Sequence, residues 1–231
     1  MYLRNYPQIN QCVSGVEQLV KQLRENPTFE LEARFGIKKN NRFETGVTRA
    51  TMDRIIELME SCPTMTFNEE WNEVQDVFFM HKGNRIRTRV EYNANNMTLE
   101  THSIKKVNID QQDFHQINVD NNTMDVRVSL KNEENVTDIP LSVQPELVRI
   151  KQQRRFRYKS FSFDFSMTWS GKSRSEAEVS QSNDDAVFEI ECELVNAKEY
   201  LALHTDIYIA ASLLLKMHDL MAEHCILSPF E

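Results

Sequence analysis

Two segments at opposite ends of the chain carry a glutamate at every second position. The first contains Glu30 and Glu32, and the second contains Glu189, Glu191 and Glu193. Because successive side chains of a β-strand point to opposite faces, the glutamates of each segment share one face of a strand. Carboxylates stacked in this way repel one another unless a positive charge lies between them. The pattern therefore indicates a divalent cation site built from two distant segments.

Three further segments carry basic side chains in the same alternation, with apolar residues between them. They contribute, in chain order, Arg85, Arg87 and Arg89, then Arg127, Ser129 and Lys131, and finally Arg155, Arg157 and Lys159. Rows of arginine and lysine are suited to binding phosphate oxygens, and carboxylates suit Mg²⁺ or Mn²⁺, which prefer oxygen ligands. Together, the acidic and basic segments indicate a site that binds a metal ion and a polyanion.

A half-solvated antiparallel sheet is the simplest explanation for any one of these segments. A solvated sheet face, however, usually mixes both signs of charge with neutral polar residues. Here whole segments are acidic or basic, and same-sign neighbours destabilise a bare sheet. The set of segments therefore favours polar faces that surround a cavity, as in a closed barrel of eight or more strands.

The hydrophobic pattern predicts the elements that position these residues. Apolar residues at helical spacing predict helices over residues 9–25, from Met52 to Met59, and in one long stretch after an Asn196 N-cap. Period-two alternation predicts strands near residues 29–35, 74–80, 84–92, 98–108, 124–131, 147–159, 161–169 and 187–195. The Ser-, Glu- and Asp-rich stretch 171–185 is predicted to be a mobile loop. The sequence thus predicts an α+β fold, in which a closed antiparallel β-barrel of about eight strands forms a hydrophilic tunnel with flanking helices at both termini.

Composition limits the class of protein. The 231 residues are predicted to form a single domain, residues 1–231. The net charge of −8 argues against a generally basic nucleic-acid-binding surface, but it allows a local basic groove. The four cysteines, Cys12, Cys62, Cys192 and Cys225, lie far apart and are expected to be free thiols in a reducing, intracellular compartment. The longest apolar run, residues 207–215, is too short to span a bilayer, so no membrane partner is expected.

The acidic segments also resemble motifs of a known superfamily. The stretches from Glu30 to Gly36 and from Glu189 to Glu193 look like the two metal-binding strands of triphosphate tunnel metalloenzymes. Within that superfamily, the chain is similar to the RNA 5′-triphosphatases of fungal, protozoan and large DNA virus capping systems. The resemblance spans residues 29 to 195 and includes three further features: the Arg127, Ser129 and Glu133 spacing, Lys105 at the position of a tunnel lysine, and Asp164-Phe165-Ser166 where the family has Asp-x-Thr.

The resemblance implies a role for each matching residue. The metal ligands would be Glu30, Glu32 and Glu193. The catalytic residues would be Glu191, which orients or deprotonates the attacking water, Glu189, which supports the cluster, and Arg127, Lys105, Arg155 and Arg157, which hold the phosphates. Further phosphate contacts would come from one or more of Arg85, Arg87 and Arg89, and from Ser129 and Lys159. Arg34 would either bind phosphate or balance Glu30 and Glu32, and the supporting residues would be Glu133, Asp164 and Ser166.

The implied reaction is hydrolysis of the terminal phosphate of triphosphate-ended RNA with Mg²⁺ or Mn²⁺, the first step of mRNA capping. Nucleoside triphosphates would be additional substrates. The chain would be a stand-alone enzyme or the N-terminal part of a larger capping enzyme, with guanylyltransferase and methyltransferase domains or subunits as partners. The acidic composition and the compact motifs indicate a protein encoded by a large DNA virus.

Two alternatives stay open. The same tunnel could act on inorganic tripolyphosphate or thiamine triphosphate, or could cyclise ATP. The chain could instead be a non-catalytic polyanion-binding capping subunit, which predicts phosphate binding without metal-dependent phosphate release. The intact glutamates on both segments weigh against that second alternative. Outside these motifs, Asp76 and Glu91 are interpreted as ordinary surface carboxylates.

Overall fold

The computed structural model describes residues 7–67, 70–93, 98–119, 122–137 and 143–222. In these ranges it has the helices α1 (Pro7–Glu25), α2 (Arg49–Ser61), α3 (Arg174–Ser182), α4 (Ala197–Leu203) and α5 (Asp206–Met221). The strands are β1 (Glu30–Lys39), β2 (Arg42–Thr45), β3 (Thr66–Phe67), β4 (Asn72–His81), β5 (Asn84–Asn93), β6 (Thr98–Val119), β7 (Asn122–Asn135), β8 (Leu147–Tyr158), β9 (Phe161–Gly171) and β10 (Val187–Leu194).

Eight of these strands close into an antiparallel barrel. They follow one another in the order β10-β9-β8-β4-β5-β6-β7-β1, and β1 pairs with β10 to complete the ring. The short strands β2 and β3 add to β1 and β8 outside the ring. The predicted α+β fold, a closed antiparallel barrel with flanking helices, is therefore confirmed.

The main hydrophobic core lies outside the barrel, between its apolar faces and the helices. On β1, Leu31, Ala33 and Phe35 are fully buried in this core, and they alternate with the polar residues of the same strand. The buried stripe of α1, including Val16 and Val20, packs into the same core. Because the polar strand faces thus point away from the helices, they are left to line the barrel interior.

The predicted mobile loop over residues 171–185 is wrong, because α3 lies within it. Ser173 caps this helix: its side chain accepts a hydrogen bond from the backbone N–H of Glu176 at 3.2 Å. Ala177 is fully buried and packs with Ile150 and Trp169 in a second, smaller core. The serine at the start of this stretch is therefore a helix N-cap rather than part of a loop.

The prediction of a single long C-terminal helix is also wrong, because the helical structure is interrupted between α4 and α5. Asn196 precedes α4 in a left-handed conformation with φ of 55° and makes no side-chain cap. Thr205 instead caps α5 through the N–H of Tyr208. Leu203, at the end of α4, is 78% exposed rather than part of a buried stripe. No helix within the described ranges has the length and apolar character needed to cross a membrane.

All four cysteines are predicted from the sequence to be free thiols, and the structure confirms this for two of them. Cys12 and Cys192 are free, and burial raises the pKa of both thiols. Cys62 is disulfide-bonded, so the expectation is wrong for that residue. Cys225 lies outside the described residues.

Gly36 lies on β1, directly opposite Thr45 of β2. A Cβ atom at this position would lie 2.4 Å from the backbone oxygen of Glu44 and 2.5 Å from the Phe43 ring. We expect Gly36→Ala to lower the free energy of unfolding by about 1–3 kcal/mol, because backbone and ring must move to admit the methyl group. Urea denaturation measures the change.

Gly15→Ala is the matched control. Its Cβ would lie 3.4 Å from the Phe114 ring, an ordinary contact, within helix α1. Alanine is favoured over glycine inside a helix by roughly 0.8–1.0 kcal/mol, so this variant should be as stable as the parent or more so. Equal loss in both variants would contradict the steric explanation for Gly36.

Candidate active site

The polar faces of the barrel strands surround a cavity of about 470 Å³. Among the described residues, nine basic and eight acidic side chains line it, together with Phe78 and Gln153. The basic side chains are Arg34, Arg85, Arg87, Arg89, Lys106, Lys131, Arg149, Lys151 and Arg155, and the acidic ones are Glu30, Glu32, Asp76, Glu133, Asp164, Glu189, Glu191 and Glu193. The interior is therefore a hydrophilic tunnel in which the two signs of charge nearly balance.

The two glutamate segments form one wall of this tunnel, because β1 and β10 are neighbours in the barrel. Glu32 lies directly opposite Glu193, and Arg34 lies directly opposite Glu191. The Arg34 guanidinium bridges the two strands, with Nε 2.9 Å from Glu32 and Nη2 3.1 Å from Glu191. The glutamates of both segments, Glu30, Glu32, Glu189, Glu191 and Glu193, are called the acidic wall below.

Two lysines enter the acidic wall from the neighbouring strands. The Lys106 ammonium lies 2.6 Å from Glu30, 3.0 Å from Glu133 and 3.5 Å from Glu32. Lys131 forms an ion pair with Glu32. Burial alone would raise the pKa of Glu32, but the charges of Arg34, Lys131 and Lys106 lower it to about 2. Glu32 is thus ionised and held by cations on three sides.

The carboxylate oxygens of the acidic wall are suited to a hard divalent cation. Glu193 makes no ion pair within the described part of the chain, and burial together with the charges of Glu30 and Asp164 raises its pKa to about 7. A cation bound by Glu30, Glu32 and Glu193 would relieve this repulsion, so the donor set fits a metal ion.

The ligand oxygens of the acidic wall are nevertheless not gathered into a compact metal site. Across the described residues, one group of three side chains has its ligand atoms within 4.8 Å of one another, and it consists of Glu91, Glu100 and His102. In the acidic wall, the Lys106 ammonium lies among the carboxylates instead. A metal ion would therefore share these oxygens with Lys106.

A completely buried aspartate on β4 and a half-buried aspartate on β9 orient basic side chains of the adjacent strands β5 and β8. Asp76 is completely buried and accepts two hydrogen bonds from Arg89, at 2.8 and 3.1 Å. Lys151 lies 3.5 Å from the same carboxylate. Asp164 accepts two hydrogen bonds from Arg155, both at 2.6 Å. These bidentate pairs fix the planes of both guanidinium groups toward the tunnel.

Most of the residues proposed from sequence line the tunnel. They are Glu30, Glu32, Arg34, Arg85, Arg87, Arg89, Glu133, Arg155, Asp164, Glu189, Glu191 and Glu193. The structure answers the question of which of Arg85, Arg87 and Arg89 faces inward, because all three do. Arg34 is paired with Glu32 and Glu191, and its contact with a phosphate stays a prediction.

The expected tunnel lysine is wrong by one position. Lys105 lies opposite Ile86, on the outer side of β6, and pairs with Glu134 at 3.2 Å. Lys106 lines the tunnel in its place, directly opposite Glu133 on β7. Because side chains alternate across a strand, adjacent lysines must point to opposite faces.

Three further basic residues proposed for phosphate binding do not line this cavity. Arg127 is held by Asp113 through hydrogen bonds of 2.7 and 3.1 Å, and it stacks on Phe43. Arg157 is exposed beyond Arg155, near the end of β8. Lys159 lies in the β8–β9 turn with φ of 51°. The basic residue of the 154–159 segment that lines the tunnel is therefore Arg155.

Two serines proposed for the site are buried beneath the acidic wall rather than exposed to the cavity. Ser129 lies opposite Glu32, and Ser166 lies opposite Glu189; each is 2% exposed. Neither lines the cavity. Their positions are those of small residues that support the glutamates, so the direct phosphate contact expected of Ser129 is corrected.

Six lining residues were not proposed from sequence. They are Asp76, Phe78, Lys106, Arg149, Lys151 and Gln153. The signal for three of them was present, because Arg149, Lys151 and Gln153 continue the alternation of Arg155. Lys131, which belongs to one of the basic segments identified from sequence, also lines the cavity. Asp76 was interpreted as a surface carboxylate, which is wrong, because it is completely buried.

Asp76 provides a test of this electrostatic arrangement. Burial would raise its pKa, but the hydrogen bonds and charge of Arg89 and the charge of Lys151 hold it below the ordinary value of 3.8. We expect Asp76→Asn to cost about 2–3 kcal/mol of unfolding free energy at pH 7, because two cations lose their partner. A lowered folded-state pKa stabilises above the ordinary pKa, so the difference from wild type should shrink as the pH falls below 3.8.

Chemical denaturation between pH 7 and pH 2 measures this difference. The control is Asp184→Asn, which removes an exposed pair with Arg49 and should change stability by less than about 0.5 kcal/mol at every pH. A constant difference between Asp76→Asn and wild type across the acidic range would contradict the assignment.

Comparisons with known proteins agree with this architecture. No protein-family model matches the chain, and no curated protein matches it in sequence. The solved structure of S. pombe Pct1 RNA triphosphatase has a TM-score of 0.65 and 16% identity, and the alignment covers 94% of this chain and 93% of that chain. Pct1 in complex with the Spt5 CTD gives a TM-score of 0.67 with 15% identity, covering 92% and 94%.

A viral protein has the same architecture. The Mimivirus capping enzyme triphosphatase gives a TM-score of 0.57 and 14% identity over 90% of this chain and 96% of that chain. At these identities, the likeness establishes a common fold. The chain therefore folds, over nearly its whole length, like proteins that are named RNA triphosphatases.

Proposed function

We propose that the chain is a metal-dependent RNA 5′-triphosphatase, which removes the terminal phosphate of triphosphate-ended RNA as the first step of mRNA capping. The observation that carries the proposal is the single tunnel in which the acidic wall faces oriented arginines across a cavity of about 470 Å³. Such a cavity suits a short polyphosphate rather than a folded nucleic acid. The fold shared with two proteins named RNA triphosphatases supports the same reading.

The charge balance of the tunnel favours a substrate that enters with a divalent cation. Because eight acidic side chains nearly cancel nine basic ones, a triphosphate alone would leave the cavity strongly negative. Glu30, Glu32 and Glu193 would hold Mg²⁺ or Mn²⁺, and the cation would neutralise charge on the phosphate oxygens.

The remaining residues of the acidic wall, Glu189 and Glu191, would orient and deprotonate the attacking water. Arg34 holds one oxygen of Glu191 at 3.1 Å, which orients this carboxylate toward the cavity. Glu191 would accept a proton as water adds to the terminal phosphorus and the bond from that phosphorus to the bridging oxygen breaks. The products are inorganic phosphate and a diphosphate end. Glu189, buried and bonded to Thr168 at 3.4 Å, would support Glu191 from below.

The basic side chains would hold the phosphates and stabilise the charge of the transition state. Arg89 and Arg155 each use one edge of the guanidinium for an aspartate, which leaves further N–H groups for phosphate oxygens. Lys106 and Lys131 would contribute point charges next to the acidic wall. Because these groups are oriented before the substrate binds, they stabilise the transition state more strongly than the same groups free in solution.

The RNA body has little part in this arrangement. A protein of net charge −8 is compatible with RNA when only the 5′ end enters the tunnel. Nucleoside triphosphates, which present the same group, are proposed as additional substrates. We further propose that residues 1–231 act as one tunnel domain, and that guanylyltransferase or methyltransferase domains or subunits are its partners.

Release of inorganic phosphate from triphosphate-ended RNA with Mg²⁺ or Mn²⁺ tests the proposal. We expect Glu30→Ala and Glu191→Gln each to lower the rate by about 100-fold or more, because the first removes a metal ligand and the second removes the proton acceptor. Glu44→Ala, which changes an exposed glutamate of β2, should match the wild type. Equal rates in all of these proteins would refute the proposed function.

The adjacent lysines of β6 test the assignment of the tunnel face. Lys106→Ala should lower phosphate release by about 10- to 100-fold, because it removes a cation from the acidic wall. Lys105→Ala, one position away on the outer side of the strand, should change the rate by less than twofold. The opposite ranking, in the same phosphate-release assay, would show that the strand presents its other face to the substrate.

A further inference from the structure

Two arginines of the tunnel differ from the other basic side chains that line it. Within the described ranges, seven of the nine basic side chains form an ion pair with a carboxylate: Arg34, Arg87, Arg89, Lys106, Lys131, Lys151 and Arg155. Arg85 and Arg149 are the two for which no such pair is found among those residues. Arg85 and Arg149 are therefore the lining cations that have no carboxylate oxygen within ion-pair distance in the described part of the chain.

Both of these arginines stack on one aromatic ring. The Arg85 guanidinium carbon lies 4.5 Å from the centre of the Phe78 ring, and that of Arg149 lies 5.4 Å from it. Phe78 lines the cavity itself and is the one aromatic residue to do so in the described part of the chain. In addition, Nε of Arg149 is buried and has no hydrogen-bond partner. Phe78, Arg85 and Arg149 are called the stacking cluster below.

The stacking cluster lies at one end of the tunnel. Arg85 is near the start of β5, directly after the β4–β5 turn, whereas Glu91 is near the end of the same strand. Phe78 is near the end of β4, and Arg149 is near the start of β8. Arg85 is exposed, so the face of its guanidinium that is turned away from Phe78 is accessible to a ligand.

Arginine–aromatic contacts elsewhere in the protein have a different character. Arg127 also lies 4.5 Å from a ring, that of Phe43, but its Nε and Nη2 donate hydrogen bonds to Asp113, and the pair does not line the cavity. Arg154 stacks on Phe67 and forms an ion pair with Glu60. Those contacts are complete without a ligand, whereas the stacking cluster retains unpaired donors and an open planar face.

We propose that the stacking cluster is the subsite for the first nucleoside of the substrate, and this proposal rests on the proposed function of the tunnel. The base stacks on the exposed guanidinium plane of Arg85, which Phe78 supports from behind. The unpaired N–H groups of Arg149 bind the phosphate oxygen nearest the ribose. Guanidinium planes and aromatic rings are the usual stacking partners of unpaired bases, and guanidinium groups bind phosphate with two parallel hydrogen bonds.

Recognition at this subsite does not depend on the hydrogen-bonding edge of the base. Every base presents a planar π-face, and no side chain of the stacking cluster offers the paired donor and acceptor that distinguishes one base edge from another. The enzyme therefore accepts any first nucleotide, and purines bind somewhat more tightly than pyrimidines because they stack over a larger area. Inorganic tripolyphosphate, which lacks a nucleoside, gains nothing from the cluster.

Calorimetric binding of two ligands tests the subsite without any need for turnover. The ligands are the β,γ-imido analogue of ATP and inorganic tripolyphosphate, each with Mg²⁺. Phe78→Leu removes the ring but keeps an apolar side chain, and it should lower the ratio of nucleotide affinity to tripolyphosphate affinity by about 5- to 50-fold. Phe78→Tyr retains the ring and should restore the ratio. Phe43→Leu, which removes the ring of the complete Arg127 pair, should leave the ratio at the wild-type value.

An unchanged ratio in Phe78→Leu would overturn the proposed subsite, whether both affinities fall together or neither falls. Equal loss for both ligands would assign the cluster to the phosphates alone, and no loss would leave it a structural contact. Because the readout is binding, a failure of the proposed hydrolysis appears separately, as absence of phosphate release from triphosphate-ended RNA by the wild-type protein.

Discussion

The pairing of β1 with β10 is the interaction on which the rest of the structure depends. It closes the barrel, and in doing so it places Glu32 opposite Glu193 inside a largely enclosed space. Two carboxylates in such a position repel each other strongly, and burial adds to the cost. Three cations compensate for this repulsion, because Arg34 on the same strand, Lys131 on β7 and Lys106 on β6 surround Glu32. The charged interior is thus a consequence of closing this particular pair of strands.

The same closure explains why the helices lie outside the barrel. If the polar strand faces point inward, the apolar faces point outward and must be covered. The residues between the glutamates of β1 and β10, such as Leu31, Ala33, Ile190 and Cys192, are buried against α1, α2 and α5. A barrel with a hydrophilic interior therefore depends on its helices for the hydrophobic core. This inverted arrangement keeps the cavity free for a polar ligand.

Period-two alternation made the barrel and most of the tunnel predictable from sequence. The glutamates and Arg85, Arg87 and Arg89 could be assigned to one face because each strand is regular where they lie. Lys105 and Lys106 could not be separated in this way. In the run from Ile104 to Val107, each face of the strand carries one lysine and one apolar residue, so alternation favours neither lysine for the tunnel face.

The orientations of Asp76 and Arg127 could not be predicted from sequence, because they depend on partners that are distant along the chain. Asp76 belongs to a strand of mixed apolar and polar residues, and only its neighbours Arg89 and Lys151 reveal that it faces the tunnel. Arg127 has the correct face and spacing, yet Asp113 on β6 binds it away from the cavity. The break between α4 and α5 was hidden for a different reason, since Thr205 can cap a helix or continue one, and tertiary packing decides between the two.

An ion pair inside the tunnel limits phosphate binding less for an arginine than for a lysine. A guanidinium has five N–H donors in a fixed plane, so Arg89 and Arg155 can keep their aspartates and still bind a phosphate oxygen. The aspartate then orients the arginine without using up its capacity to donate. An ammonium is a single centre, and Lys106 already lies among three carboxylates. A phosphate that approaches the acidic wall must therefore compete with three carboxylates for Lys106. Arg89 and Arg155, in contrast, have N–H groups that their aspartates do not occupy.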